Sequence, residues 1–447
     1  MNLFLVIIYL IIGAKFLYPF FVRYIGLPEL PPFTVQLLIM FLFITVYLTK
    51  YLNKKIFIIS NNNFKPYKYS FVLLLVIIMT STLVNANNVL LVLKSFFEFD
   101  IIFILLFLSI IELGFNENIQ NYLIKFIYVI IILQIPVTIF QYFILGYSDA
   151  DSISGTIAST NVGGTGVIAV FMTFLLAFTI EFILIKGFTF FRILLAASTT
   201  FPVIAGGARI ALILFPITII TSILGFYIFR QNKRQVSFVK GILLAAFLFT
   251  IGLVAFIKIA PQTKFSRFFD LETISSVNKA ENYDNSNDYK DSRIQGYYRL
   301  FDEVFKNDIN ILLGKGNEAI TSSSSAGVKN IQLDFLFNRP DAMIFLASTG
   351  ILGLGLIILI IFFSIPILTN YIYHEVSEFM MVVAYSFIPI TFNVIASLFY
   401  TTAWSSHIGL IFWVLLAVSF QRVYVLKSSA VLTNVLFITQ NKILPEY

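Results

Sequence analysis

Apolar runs of about 20 residues recur along almost the whole chain, the length that carries an α-helix across a hydrocarbon layer roughly 30 Å thick. They centre near residues 12, 41, 78, 106, 133, 173, 197, 219, 250, 355, 388 and 416. None alternates apolar with polar residues, so none reads as a barrel strand. A bilayer core offers no water to a backbone N–H or C=O, which leaves helices as the structure these runs can form. The pattern predicts an all-α polytopic membrane protein with about 12 transmembrane helices and one large, partly helical loop. Charge agrees with this. Charged residues make up 12% of the 447, against roughly 25% in a soluble domain, too few to build a water-facing surface. Cysteine is absent, which excludes disulfides, a thiol nucleophile and cysteine metal sites.

The basic residues set the orientation. Lys50, Lys54, Lys55, Lys65 and Lys68 lie in one loop, and Arg230, Lys233, Arg234 and Lys240 in another. The positive-inside rule assigns both to the cytoplasm, and an even number of runs separates them, so the two assignments agree. The same clustering accounts for the net charge of +7 without a nucleic-acid partner; the expected solvent is the lipid bilayer. The first run lacks a basic leader and a small-residue cleavage site, so it reads as a retained helix. Residues 146–161, 206–209 and 260–340 then fall outside. The chain divides into 1–259 (helices one to nine), a periplasmic loop domain at 260–340, 341–426 (helices ten to twelve) and a cytoplasmic tail at 427–447. Within the loop, Ile294, Tyr297, Tyr298, Phe301, Val304 and Phe305 recur at helical spacing. They predict a helix that lays this apolar face on the bundle.

Three patches stand out, all on the outer side. The first is Ser154-Gly155-Thr156-Ile157-Ala158-Ser159-Thr160-Asn161, opening the sixth helix. The second is Gly206-Gly207-Ala208-Arg209-Ile210-Ala211-Leu212, opening the eighth. The third runs from Arg293 through Gly314-Lys315-Gly316 and is followed by Thr349-Gly350-Ile351-Leu352-Gly353 in the tenth. In this order and spacing they resemble the O-antigen polymerase and O-antigen ligase superfamily of membrane-embedded glycosyltransferases. Those proteins carry an SGT-x-x-x-x-N segment, an SR-x-A-L segment and a long periplasmic loop. That loop holds an arginine-led amphipathic helix ending in G-x-G, and a G-x-x-G follows in the next span. The likeness covers roughly residues 150–365.

The resemblance implies an inverting, metal-independent glycosyl transfer without a cofactor, at the periplasmic face of a bacterial inner membrane. The donor would be an undecaprenyl-diphosphate-linked oligosaccharide. A polymerase moves the growing glycan to the non-reducing end of a new lipid-linked repeat unit, whereas a ligase moves finished chains onto lipid A-core. A chain-length regulator and a flippase are the companions such an enzyme implies. The ligases carry a histidine near the position of Arg339. Here His374 and His407 lie elsewhere, which favours the polymerase. A lipid-oligosaccharide flippase is the reading from another class, but two similar halves and midplane charges are not evident.

The chemistry points to particular residues. A lipid diphosphate leaves with growing negative charge, which must be stabilised where it develops. Arginine forks bind phosphate oxygens in a bidentate way. Arg209 stands at a helix start beside Gly206 and Gly207, which permit close approach to backbone N–H groups. Arg293 shares a helical stripe with Tyr297, Leu300 and Val304, an odd place for an idle charge. Arg339 precedes the tenth helix. Each could instead snorkel to lipid headgroups. Asp341 is the first choice of general base for the acceptor hydroxyl, with Asp334 next. Asp149-Ala150-Asp151 matches a D-x-D metal motif only as a polar loop does by chance. Asn161 reads as a helix cap or interhelical hydrogen bond. The topology is testable: reporter fusions after Lys54 and Lys233 are expected to be cytoplasmic and one near Asn285 periplasmic. A cytoplasmic loop at 260–340 would put a lipid-linked donor out of reach.

Overall fold

Among the described residues the apolar runs fold as helices, and no strand occurs. The structure, a computed structural model, describes residues 3–31, 33–54, 58, 64–85, 101–147, 153–157, 164–206, 208, 210–229, 297, 300–302, 304–305, 307–316, 340–375, 377–401, 404 and 406–424. In chain order the helices are α1 (Leu3–Phe16), α2 (Tyr18–Ile25), α3 (Thr34–Leu52), α4 (Lys65–Asn85), α5 (Ile102–Leu113) and α6 (Glu117–Ile139). They continue as α7 (Thr165–Lys186), α8 (Phe190–Ser198), α9 (Thr200–Ala205), α10 (Ala211–Phe229) and α11 (Asp308–Leu313). The last are α12 (Asp341–Phe362), α13 (Ser364–His374), α14 (Glu378–Leu398) and α15 (His407–Tyr424). Among the described residues 8 are long and apolar enough to cross a membrane: α3, α4, α6, α7, α10, α12, α14 and α15. The chain is an all-α protein of multi-pass membrane type.

The remaining expected spans differ in form. The run near residue 12 is the pair α1–α2, bent by 46°. Pro19, in the first turn of α2, has no N–H for the carbonyl of Lys15 four residues back, and the His407 ring nitrogen sits 2.9 Å from that oxygen instead. The run near 106 gives the 12-residue α5, stopped by Gly114 in the left-handed conformation. Asn116 then caps α6, its side chain accepting the Ile119 N–H. The run near 197 gives the short helices α8 and α9. The run near 250 lies outside the described residues.

The core centres on α7, buried on nearly every side between α6, α10 and α14, as expected of a helix that is apolar all round. The two ends of the bundle are held differently. At one end lie ion pairs. Lys50 pairs with the buried Glu112, and Lys186 stands 3.5 Å from Glu378. Arg422 forks onto both oxygens of Glu375 at 2.7 and 3.0 Å and reaches Glu117 at 2.8 Å. The other end holds Arg23, residues 153–157, Gly206, Asp341 and Trp404. α10 leaves at the first end, where the Phe229 carbonyl accepts the Tyr385 hydroxyl at 3.1 Å. Leu300 and α12 stand at the second, so the chain enters and leaves residues 230–296 at opposite ends.

The described loop residues pack on the bundle, and Tyr297, Val304 and Phe305 lie on the packed face as expected. Leu300 and Val304 are buried against Met343 and Ala347 of α12. Phe301, expected on the buried face, is 56% exposed. The buried stripe is the one that Arg293 shares in sequence, because α12 meets the stretch from that side. The Tyr297 hydroxyl donates to the Phe399 carbonyl at 3.3 Å.

Further along, the G-K-G and T-G patches form one junction. α12 breaks at Gly350, whose φ of 66° and ψ of −164° only glycine adopts readily. The break takes the carbonyls of Ala347 and Ser348 out of the helix ladder. They accept the N–H groups of Lys315 at 2.7 Å and Gly316 at 3.0 Å, and Ser348 also accepts the Ser81 hydroxyl at 2.6 Å. The contact is backbone on backbone: a Cβ on Gly350 would stand 2.3 Å from the Leu312 carbonyl oxygen, and one on Gly314 2.6 Å from the Thr349 nitrogen. Gly355, one turn further in the same helix, has nothing within 4 Å. Gly350→Ala is therefore expected to lower stability by about 1–3 kcal/mol or more, and Gly355→Ala to be neutral or slightly stabilising. Thermal unfolding in detergent checks the pair. Equal effects would mean that the junction carries no strain.

Candidate functional site

Residues 153–157, which open the first patch, enter the bundle without forming a helix, and Ile153, Ser154, Thr156 and Ile157 are all buried. Such backbone needs partners, and two glutamines seven residues apart supply them, Gln134 in α6 and Gln141 in the π-helical turn Phe140–Ile144 that continues it. A glutamine side chain ends in an amide, so it offers the same donor and acceptor pair as a peptide group. Gln141 accepts the Gly155 N–H at 2.9 Å and donates to the Gly155 carbonyl at 2.8 Å. It also lies 2.8 Å from the Tyr24 hydroxyl. Gln134 accepts the Thr156 N–H at 2.9 Å and donates to the Thr156 hydroxyl at 2.8 Å. Together they imitate a neighbouring strand. Gly155 has a φ of 58°, and a Cβ there would come within 2.3 Å of Gln134 Oε1.

Arg23, in the last turn of α2, donates to the Ser154 hydroxyl at 2.7 Å. Its guanidinium lies 5.3 Å from the Tyr24 ring centre and 5.0 Å from that of Tyr147, a cation–π setting that fixes its position. The start of α7 closes against the same residue: a Cβ on Gly164 would stand 2.6 Å from the Ser154 Cβ. One residue on, Thr165 touches the second patch, its methyl 3.2 Å from where a Gly206 Cβ would be. A Cβ on Gly166 would stand 3.5 Å from the Thr401 hydroxyl oxygen. The first turn of α7 is thus the meeting point of the S-G-T patch, the G-G-A-R patch and the turn between α14 and α15.

Asp341 reaches that turn from the other side. It is 1% exposed, its N–H lies 3.3 Å from the Thr401 carbonyl, and its carboxylate accepts the Trp404 N–H. Standing in the first turn of α12, the carboxylate also meets the positive end of that helix. Asp341 fixes the α14–α15 turn, so a general base here would work from a side chain already holding backbone.

Of the residues expected from sequence, Gly206 and Asp341 are described and lie at the same end. Gly207, Arg209, Arg293 and Arg339 lie outside the described residues, as do Asp334, Asn161, Asp149 and Asp151. Arg209 is flanked by the buried residues Ala208 and Ile210 at the entry to α10. Among the described residues no three His, Asp or Glu side chains gather where they could hold a metal ion. Sequence reasoning missed Arg23, Gln134 and Gln141. The available signal was the cost of a polar side chain inside an apolar run, which calls for a partner. Comparison with known protein families gives no matching family, and comparison with curated proteins gives no match.

The glutamine clamp has a measurable consequence. Gln141→Leu leaves the Gly155 N–H and C=O buried without this partner, and a lost partner costs a buried group about 1–3 kcal/mol. Amide exchange at Gly155 and Thr156 is expected to speed up by at least about tenfold while the helices keep their protection. Unchanged exchange would show that other groups hold the segment.

Proposed function

We propose that the chain is a polymerase of O-antigen or a similar surface polysaccharide. It would transfer the growing glycan from undecaprenyl diphosphate to the non-reducing end of a new lipid-linked repeat unit. One observation carries the reading. The described parts of the patches on which the resemblance rests (residues 154–157, Gly206, 314–316 and 349–353), far apart in sequence, gather around the start of α7 and the first half of α12. Lys50, Lys65, Lys68, Lys186 and Arg422 lie toward the opposite end, which supports a cytoplasmic assignment there and a periplasmic one for the site.

In this reading the arginines do the chemistry. The acceptor sugar hydroxyl attacks the anomeric carbon from the face opposite the diphosphate, inverting it. The C–O bond to the diphosphate breaks, and its electron pair leaves on the lipid phosphate. Arg209, Arg293 and Arg339 stabilise that charge, the backbone at Gly206 and Gly207 allows close approach, and Asp341 takes the hydroxyl proton. The missing loop histidine favours this over the ligase.

The arginines supply the test. Losing a diphosphate contact made mainly in the transition state costs about 3 kcal/mol, judged by the loss of one oxyanion donor, or at least about a hundredfold in rate. Arg293→Ala is expected to abolish polymer while the protein still reaches the membrane, and Arg293→Lys to rescue poorly for want of the fork. Arg299 has Asp302 and Glu303 three and four residues on, so Arg299→Ala is expected to be nearly silent. Purified activity is expected to survive EDTA. Equal losses at both arginines would reduce the loop stretch to a structural lid, and loss of all polysaccharide with no accumulated single unit would favour transport.

A further inference from the structure

One carboxyl in the core is left without a partner. Glu181 lies inside α7, is 0% exposed, and neither oxygen has a hydrogen-bond donor among the described residues. α6, α8, α9, α10 and α14 pack on this helix, and their titratable groups are engaged elsewhere. On α6 Lys125 lies 5.6 Å from the Phe379 ring centre, Tyr128 packs on Phe178 at 5.6 Å and Glu117 meets Arg422. Tyr122 of the same helix is exposed. Arg192 of α8 donates to the Gly187 carbonyl at 2.6 Å, and Tyr227 of α10 packs on Phe226. On α14 Tyr385 donates to the Phe229 carbonyl, and Glu378 meets Lys186. α1 and α15 reach the outer half of α7 through Phe16, which packs on Phe171 and His407. There Lys15 and His407 meet each other, and Tyr9 of α1 packs on Phe126. Further along α15, Arg422 holds Glu375 and Tyr424 is partly exposed.

We infer that Glu181 is a proton-binding site, occupied in the conformation described, and that losing the proton toward the Lys186 end undocks the first turn of α7 from the patches. A charged group inside a membrane bundle marks function more often than packing. With no donor and no cation, an ionised carboxylate here is far too costly to persist, whereas the neutral acid is tolerated. A metal cation needs several oxygens converging on it, and no three acidic or histidine side chains gather among the described residues. A proton needs only the carboxyl. Glu181 stands five residues before Lys186, about 7.5 Å along the helix. The shortest way to water therefore passes Phe182 and Ile185, which are partly exposed. An ionised Glu181 must be hydrated from that end, which parts α7 from Phe379 of α14, whose ring centre lies 6.1 Å from that of Phe182. α7 runs unbroken from Lys186 back to Thr165. The shift is thus carried to Gly164 and Gly166, where Ser154 and the α14–α15 turn meet the helix. The inference does not depend on which reaction the outer site performs.

The chain has no cysteine, so an introduced pair reports the docking. Gly166→Cys with Thr401→Cys suits this, because a Cβ on Gly166 would stand 3.8 Å from the Thr401 Cβ, a separation that a disulfide spans. The full-length pair variant in nanodiscs, oxidised with copper phenanthroline, is expected to lose at least about half of its crosslink as the buffer is made alkaline. With Glu181→Gln added, the yield is expected to stay at its acid value or rise, since thiol oxidation itself favours alkali. Glu181→Asp is expected to keep the fall. On the unaltered chain a hydrophobic carbodiimide, which adds to a protonated carboxyl, is expected to label Glu181, and a water-soluble carbodiimide to leave it unlabelled. A crosslink that ignores pH, or that falls equally in the Glu181→Gln background, would overturn the coupling. Labelling of Glu181 by the water-soluble reagent, or by neither, would overturn the buried proton site.

Discussion

Backbone hydrogen bonding in a medium without water governs this architecture. Wherever the chain stops being helical at membrane depth, each freed N–H and C=O must find protein. The described breaks show the partners. At Pro19 the Lys15 carbonyl meets His407. At Gly350 two carbonyls take the N–H groups of Lys315 and Gly316. Along residues 154–156 two glutamine side chains stand in for a strand. At the α14–α15 turn Asp341 holds Trp404. All four lie at one end of the bundle. The opposite end is closed by ion pairs, among them the Arg422 fork on Glu375. A buried pair of that kind contributes less to stability than to fixing which helices meet.

Concentrating the irregular backbone at one end makes a rigid platform. Glycines set how close the pieces come: Gly164 lets α7 touch Ser154, and Gly314 and Gly350 let a loop lie directly on a span. Backbone pinned on both faces holds the groups at this end in place.

Much of this was legible in the sequence, and the rest was not for identifiable reasons. Apolar length gave the helices, because a bilayer imposes that length on any span. Glycine spacing gave the G-K-G and T-G patches, and their meeting follows from backbone contact that only glycine permits. The phase of the loop stretch went astray at Phe301 because amphipathic spacing shows that a face exists and not which neighbour covers it. Val304 is buried as expected, whereas Leu300, equally apolar, takes against α12 the buried place expected of Phe301. Arg23 escaped because its partner, Ser154, is 131 residues away. Gln134 and Gln141 escaped because a glutamine that clamps a distant loop looks, in sequence, like one that bonds its own helix.

The junction at Gly350 bears on how the protein is made. Residues 314–316 precede α12 in the chain, so they leave the ribosome before the carbonyls that they will satisfy. When the broken span enters the bilayer, its partner strand has already been synthesised on the side where the span begins. A helix with two open carbonyls would be a poor insertion substrate on its own, and with the loop waiting it need never be exposed to lipid in that state. The order of segments along the gene thus doubles as an assembly schedule, in which the loop acts as an internal chaperone for the span that follows it.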